Sequence, residues 1–237
     1  MTVAARTDLE RSALEQLARR AGRELADAPA TEIMRWAVQT FGPRFAVASS
    51  MQDAVLVHLV AQVAPGVDVL FLDTGYHFAE TIGTRDAVAA SYHINLITLT
   101  PRQSVAEQDA EHGPKLHDRN PDLCCGLRKV APLDRALTDY DAWATGVRRV
   151  EAPTRADTPV VSFDPKRGKV KLAPLATWND QDVDDYIAEH GILVNPLLTA
   201  GYPSIGCAPC TRAVSEGENP RAGRWAGSGK TECGIHR

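Results

Sequence analysis

From Phe45 onward the chain alternates short runs rich in β-branched and aromatic residues with longer runs at helical spacing, and this alternation constrains the fold more than any other feature. Strands are expected over 45–49, 67–72, 94–99 and 142–146, and helices over 54–64, 78–91 and around 125–137. Strands bounded by helices of this length are βαβ units, whose right-handed crossovers build a parallel sheet covered on both faces. The expected fold class is α/β. Two further strands, 160–163 and 170–172, flank the turn-forming Asp164-Pro165-Lys166-Arg167-Gly168. A helix over 181–190 follows, with Thr177 as its expected cap. Upstream, Leu9, Ala13, Leu17, Ala21 and Leu25 form a helical stripe that Thr7 and Glu10 would cap as a box. After Asn195-Pro196 the chain turns rich in Gly and Pro with little periodicity. The expected division is an α/β nucleotide-binding domain over 1–195 with a helical N-terminal extension, and an irregular tail over 196–237, working as one unit.

Five cysteines punctuate this frame. Cys124 and Cys125 are adjacent, Cys207 and Cys210 bracket Ala-Pro, and Cys233 stands alone near the C-terminus. A two-residue spacer lets both thiolates of a turn bind one metal or cluster, although a zinc half-site or a redox disulfide would use the same spacing. The adjacent pair shifts the balance, because neighbouring helical side chains diverge by roughly 100°. That is an awkward bite for one zinc ion and a workable one for two irons of a larger cluster. A [4Fe–4S] centre is the preferred ligand, with two buried structural cysteines as the alternative for the pair. Cys233 reads as a working thiol: Lys230, His236 and Arg237 favour its thiolate and Glu232 opposes it.

In an open α/β sheet the ligand sits beyond the carboxyl ends of the strands. Three loops qualify: Ser49-Ser50-Met51-Gln52-Asp53, Asp73-Thr74-Gly75-Tyr76-His77 and Gly146-Val147-Arg148-Arg149. The first presents hydroxyls and amides at a helix N-terminus, which suits an anion. The second suits a sugar or base, and the third places two guanidinium groups where phosphate or sulfate would meet them. Each also has a plain structural reading, as a helix cap, a polar turn or a surface ion pair.

The net charge of −4 argues against a general nucleic-acid partner. The N-terminal stretch carries Asp8, Glu10 and Glu15 where a signal peptide would be apolar, and no apolar run is long enough to span a membrane. A cytoplasmic location is therefore expected, where cysteines serve metals or catalysis more than disulfides.

Four stretches together resemble the assimilatory adenylyl-sulfate reductases, the iron–sulfur branch of the phosphoadenylyl-sulfate reductase family. They are Cys124-Cys125-Gly126-Leu127-Arg128-Lys129, Cys207-Ala208-Pro209-Cys210, Arg221-Ala222-Gly223-Arg224-Trp225 and Glu232-Cys233-Gly234-Ile235-His236. The resemblance runs from Ala30 to His236 and implies the fold of the adenine nucleotide α-hydrolases, close to the ATP pyrophosphatases. It further implies that Cys124, Cys125, Cys207 and Cys210 hold a [4Fe–4S] cluster and that Cys233 attacks the sulfur of adenosine 5′-phosphosulfate. AMP would leave, and thioredoxin or a similar dithiol protein would release sulfite from the S-sulfocysteine. Both electrons would come from thiols, leaving the cluster a structural and electrostatic part.

Lys129, Arg155, Arg221 and Arg224 match the family's substrate-contacting cations, and Ser49, Ser50 and Thr74 would hold the nucleotide. Gly146 and His236 complete the expected substrate-binding set. Two departures stand out: Ser-Ser-Met-Gln-Asp lacks the glycines with which ATP pyrophosphatases approach a triphosphate, and Glu151-Ala152 replaces the Gln and Ser usual in relatives. Three other readings compete: reduction of the 3′-phosphorylated nucleotide, ATP-dependent thiolation, acting on tRNA, and a zinc-stabilised binding module. A homo-oligomer is left open.

Overall fold

A computed structural model describes residues 8–236, so Thr7 of the expected capping box and Arg237 of the tail lie outside the described residues. Helix α1 (Asp8–Glu24) and helix α2 (Ala30–Phe41) precede the sheet. There follow β1 (Phe45–Ser49), α3 (Val55–Val63), β2 (Val67–Leu72), α4 (Ala79–Ser91), β3 (Ile94–Leu99) and α5 (Val105–His112). Short helices α6 (Leu116–Arg119), α7 (Pro121–Cys125) and α8 (Ala131–Ala136) lead to β4 (Ala142–Thr145). Then come β5 (Val161–Asp164), β6 (Lys169–Leu172) and α9 (Asp180–His190). Among the described residues no helix is long and apolar enough to cross a membrane.

The six strands lie in the order β3-β2-β1-β4-β6-β5. All neighbours are parallel except β5 and β6, which run antiparallel. The exception has a simple cause: a tight turn can join only antiparallel neighbours, whereas parallel ones need a crossover. The chain winds outward from β1 through β2 to β3, then returns to place β4 on the other side of β1. Val47 consequently sits between Val69 and Ala144. The carboxyl ends of β1 and β4 therefore flank the point where strand order reverses, where such folds open a crevice.

Strand pleating divides the core. Val47, Val69 and Phe71 face a layer that includes Ile33 and Met34 of α2 and Leu59 and Val60 of α3. Ala46, Leu70 and Trp143 face the other side, against Leu133 and Leu137. Helix α2 is not among the elements expected from the sequence; Ile33, Met34, Ala37 and Phe41 form its buried stripe. The cap of α9 also differs from expectation. Asn179, and not Thr177, accepts the Asp182 N–H while Asp182 answers the Asn179 N–H, closing a capping box.

Candidate active site

Beyond the carboxyl ends of β1, β2 and β4 lies an open cleft of about 1320 Å³. Ser49, Ser50 and Gly146 form part of its wall at the strand ends, and Lys129, Arg148, Arg155, Arg221 and Arg224 supply its cations. Cys233 and His236 line it from the C-terminal segment. Thr74 is set apart from this group. It is fully buried, its hydroxyl lies 3.3 Å from the Cys207 sulfur and also accepts the Tyr76 N–H, so it belongs to a neighbouring cavity.

In the first loop, the Ser49 hydroxyl accepts the Met51 N–H at 3.3 Å, and Met51 takes a positive φ of 58° although fully buried. Asp53 accepts the Val55 N–H at 3.1 Å, so a carboxylate already answers the start of α3. Burial pushes the Asp53 carboxyl up.

The neighbouring cavity has Cys124, Cys125, Cys207 and Cys210 in its lining. Asn120 caps α7 by accepting the Leu123 N–H, placing the cysteine pair in its last turn, and a π-helical turn (Gly126–Val130) follows. That turn carries Arg128, which donates to the Thr74 and Gln103 carbonyls and to the Gln108 side chain and so ties α7 to the loop after β2. On the facing side, the Ala208 N–H bonds the Tyr76 carbonyl at 2.7 Å and Pro209 shapes the turn between Cys207 and Cys210.

Among the described residues no group of three or more His, Cys, Asp or Glu converges on a single metal-ion position. Four thiols around one cavity form a soft donor set suited to a group larger than one ion. Cys210 is pushed up to about 11, by burial first and then by Cys207.

Lys129, Arg224 and Trp225 line both cavities and form the wall between them. Burial works against the charge on Lys129, but the sulfurs of Cys207, Cys233 and Cys125 outweigh it and raise its pKa. Arg224 donates to the Ser204 hydroxyl and the Ile205 carbonyl and stacks 4.6 Å from the Trp225 ring, while its Nε has no protein partner. Trp225 adopts φ 49°, held there by its N–H on the Cys210 carbonyl and by Lys230 on its ring.

The Cys233 thiol is shifted well down from its ordinary value, first by a hydrogen bond from Cys125 and then, against the cost of burial, by Lys129 and Arg224. The cations that favour its thiolate thus differ from those expected. Lys230 is engaged by Asp122, and burial together with Lys171 and Arg155 pushes His236 well down, keeping that ring neutral. Glu232 does not oppose the thiolate as a free charge either. Arg155 grips it through two bonds of 2.7 and 2.6 Å, Arg221 lies 3.5 Å away, and the carboxyl is held down to about 2 despite its burial. Glu151, one of the two departures from relatives, pairs with Arg155 at 2.5 Å. Trp225 is a wall residue that the sequence did not point to, and the sequence carried no sign that the acid of Glu232 would close back on Arg155.

The phosphoadenosine phosphosulfate reductase domain matches residues 43–213. Among curated relatives, an adenosine 5′-phosphosulfate reductase of Streptomyces coelicolor is 69% identical over 223 residues, covering 94% of each chain. The adenosine 5′-phosphosulfate reductase of Mycolicibacterium smegmatis is 60% identical with the same coverage. In three dimensions the chain is similar to a phosphoadenylyl-sulfate reductase from Candida auris solved with phosphate. The TM-score is 0.72 at 29% identity, over 89% of this chain and 99% of that one. The fold is also similar to that of Candida glabrata FMN adenylyltransferase, at TM-score 0.55 and 11% identity.

Proposed function

The chain belongs to the phosphoadenosine phosphosulfate reductase family, and from that premise we propose that this oxidoreductase converts adenosine 5′-phosphosulfate to sulfite and AMP in sulfate assimilation. The observation that carries the reading is a buried, acid-shifted Cys233 facing the cleft between Lys129 and Arg224. A thiolate approaching a phosphosulfate meets negative charge, and cations fixed around the path offset that repulsion. Cys233 Sγ attacks the sulfur, an S–S bond forms, the S–O bond breaks, and AMP leaves with the electron pair. The cysteine then carries an S-sulfo group. One thiolate of thioredoxin or a similar dithiol protein attacks Cys233 Sγ and expels sulfite, and its second thiol resolves the mixed disulfide. Sulfur has gained two electrons, both from that dithiol.

In this reading the residues divide by their position in the cleft. Ser49, Ser50 and Gly146 at the strand ends face the nucleotide, while Arg155, Arg221 and Arg224 meet its anionic groups and Lys129 stands beside the reacting sulfur. His236, neutral and with an unpartnered Nδ1, accepts a hydrogen bond or donates one without adding charge.

Cys124, Cys125, Cys207 and Cys210 would hold a [4Fe–4S] cluster, which the four thiols around their cavity fit. When bound, the cluster supplies a fixed link between α7 and the Cys207–Cys210 turn and concentrates negative charge behind Lys129, keeping that ammonium protonated. A thiolate committed to iron has no proton to donate, so Cys233 would then rely on Lys129, the Ile235 N–H and Arg224 for its lowered pKa.

Cys233→Ser is the direct test. It should bind adenosine 5′-phosphosulfate, form no sulfite and show no mass increment of one SO₃ group, whereas the parent chain acquires that increment when the dithiol is withheld. Sulfite formation by Cys233→Ser at the parent rate would overturn the reading. Iron and acid-labile sulfide analysis of anaerobically purified protein tests the cluster: stoichiometric zinc without sulfide would exclude it.

A further inference from the structure

The Arg155–Arg221 subsite is filled by the chain itself. Glu232 Oε2 accepts from Arg155 Nε and Oε1 from Arg155 Nη2, with Arg221 Nη2 3.5 Å from Oε1 and the Thr154 hydroxyl 3.4 Å from Oε2. The remaining nitrogen of Arg155, Nη1, is engaged by Glu151. Two arginines thus face two carboxylates, and the pair of cations meant for an anionic substrate is already neutralised. Glu232 is 6% exposed, so water does little to screen it.

Resting on the functional reading above, we propose that Glu232 is a built-in counter-anion, which holds the Arg155–Arg221 subsite until the phosphosulfate of the substrate displaces it and thereby frees Cys233 to reach the sulfur. A second anion cannot simply join the first. The fork edge of Arg155 is occupied by Glu232, and a further negative group beside a buried carboxylate would leave three acidic groups against two cations in a poorly screened space. Exchange relieves this, because Glu232 leaves for water as the substrate anion takes its guanidinium partners. The exchange also moves the nucleophile. Glu232 Oε1 accepts the Cys233 N–H at 2.9 Å, and the Cys233 thiol, which lines the cleft, is also held by a hydrogen bond with Cys125. Release of the carboxylate therefore removes a clamp on the backbone that carries the reacting sulfur. Two other ties of the segment, Arg167 to the Ile235 carbonyl at 3.3 Å and Lys230 to Asp122, do not use the substrate's cations and can hold its ends while the middle shifts, whereas the Arg221 contact with the Thr231 carbonyl at 3.4 Å would be given up along with Glu232.

The test compares Cys233→Ser with Cys233→Ser/Glu232→Gln and Cys233→Ser/Glu232→Ala, titrating each with adenosine 5′-phosphosulfate and with adenosine. Removing the internal competitor should tighten the phosphosulfate by about 5- to 100-fold, the usual span of coupled binding, and change adenosine by less than about twofold. An unchanged or weaker affinity for the phosphosulfate would overturn the proposal. Equal tightening of adenosine would also overturn it, since that would make the segment a general lid. Failure of Cys233→Ser itself to bind the phosphosulfate would instead overturn the functional reading. A second measurement needs no substitution: in the holoenzyme, inorganic sulfate should speed alkylation of Cys233 relative to chloride at equal ionic strength. Equal or slower alkylation in sulfate would count against displacement.

Discussion

Residues 45–172 are joined strand to strand by backbone ladders in which Val47 has a neighbour on each side. Residues 201–236, by contrast, hold one isolated bridge among the described residues, Thr211 to Arg224. The sheet buries apolar side chains on both faces, while the C-terminal segment is fastened by particular side chains: Glu232 on Arg155, Lys230 on Asp122, Trp225 between two cations. A ladder spreads its loss over many bonds, but a segment held by a few charge-assisted contacts can be released when a competing charge arrives. The difference suits the proposed chemistry, in which a rigid crevice would receive a nucleotide and a nearby segment would deliver a thiol to it and later present it to another protein.

The largest expected effect comes from breaking the sheet. Trp143 is fully buried in β4, with Arg167 and Lys171 over its ring, and Trp143→Ala should lower the unfolding free energy by about 3–5 kcal/mol. Urea unfolding measures this, and a loss under about 1 kcal/mol would mean that the sheet does not carry the stability assigned to it. Gly206→Ala should act in the opposite way. Its Cβ would lie 2.4 Å from Arg224 Nη2, so the guanidinium must swing out of the wall between the two cavities. Because a flexible side-chain end gives way and no backbone need move, stability should change by less than about 1 kcal/mol while phosphosulfate affinity falls about tenfold or more. Stability lost with affinity kept would erase the contrast between the two regions.

The same contrast explains what could be read from the sequence. Strands 45–49, 67–72 and 94–99 appear at their expected bounds, because a strand buried in a parallel sheet needs a compact apolar run and each run is bounded by turn formers. Helix α2 is harder to read than its regular stripe suggests, because Pro29 at its N-cap provides no side-chain capping signal. In the site, the residue types were legible and their partners were not. Thr74 looked like a nucleotide contact from its loop, but whether a hydroxyl faces the cleft or the Cys207 sulfur depends on how residues 133 positions apart are brought together. Glu232 read as an opponent of the thiolate for the same reason: only the fold supplies Arg155, 77 positions away. Cysteine spacing was more informative because two residues of separation fix a local geometry that tertiary structure merely places.

Acid should separate the two regions with the smallest effect. His58 on α3 bonds the Tyr186 hydroxyl at 2.7 Å, meets Gln62 on its other nitrogen, and lies 5.3 Å from the His190 ring and 5.8 Å from that of Tyr92. Burial first, and His190 second, lower its pKa from 6.5. A histidine that resists protonation when folded contributes stability that is present above 6.5 and is lost as pH falls toward the folded value, because the unfolded chain takes up the proton first. Glu232 behaves differently. Its folded value of about 2 lies below the ordinary 4.5, with Arg155 overcoming the cost of burial, so its contribution persists down to 4.5 and fades only on approach to about 2. Mild acid should therefore loosen the α3–α9 junction, and draw also on the contributions of His77 and His236, whose rings burial likewise holds below 6.5, while the Glu232–Arg155 pair stays closed. Between about pH 8 and about pH 5.5, the range in which histidine titrates, the thermal midpoint should drift downward, less so in His58→Gln, while alkylation of Cys233, corrected for the reagent's own pH dependence, stays slow. If His58→Gln kept the full drift, the acid-sensitive joint would lie elsewhere. If Cys233 became reactive over the same interval, the clamp would be as weak as the junction and the two regions would not be held by different means.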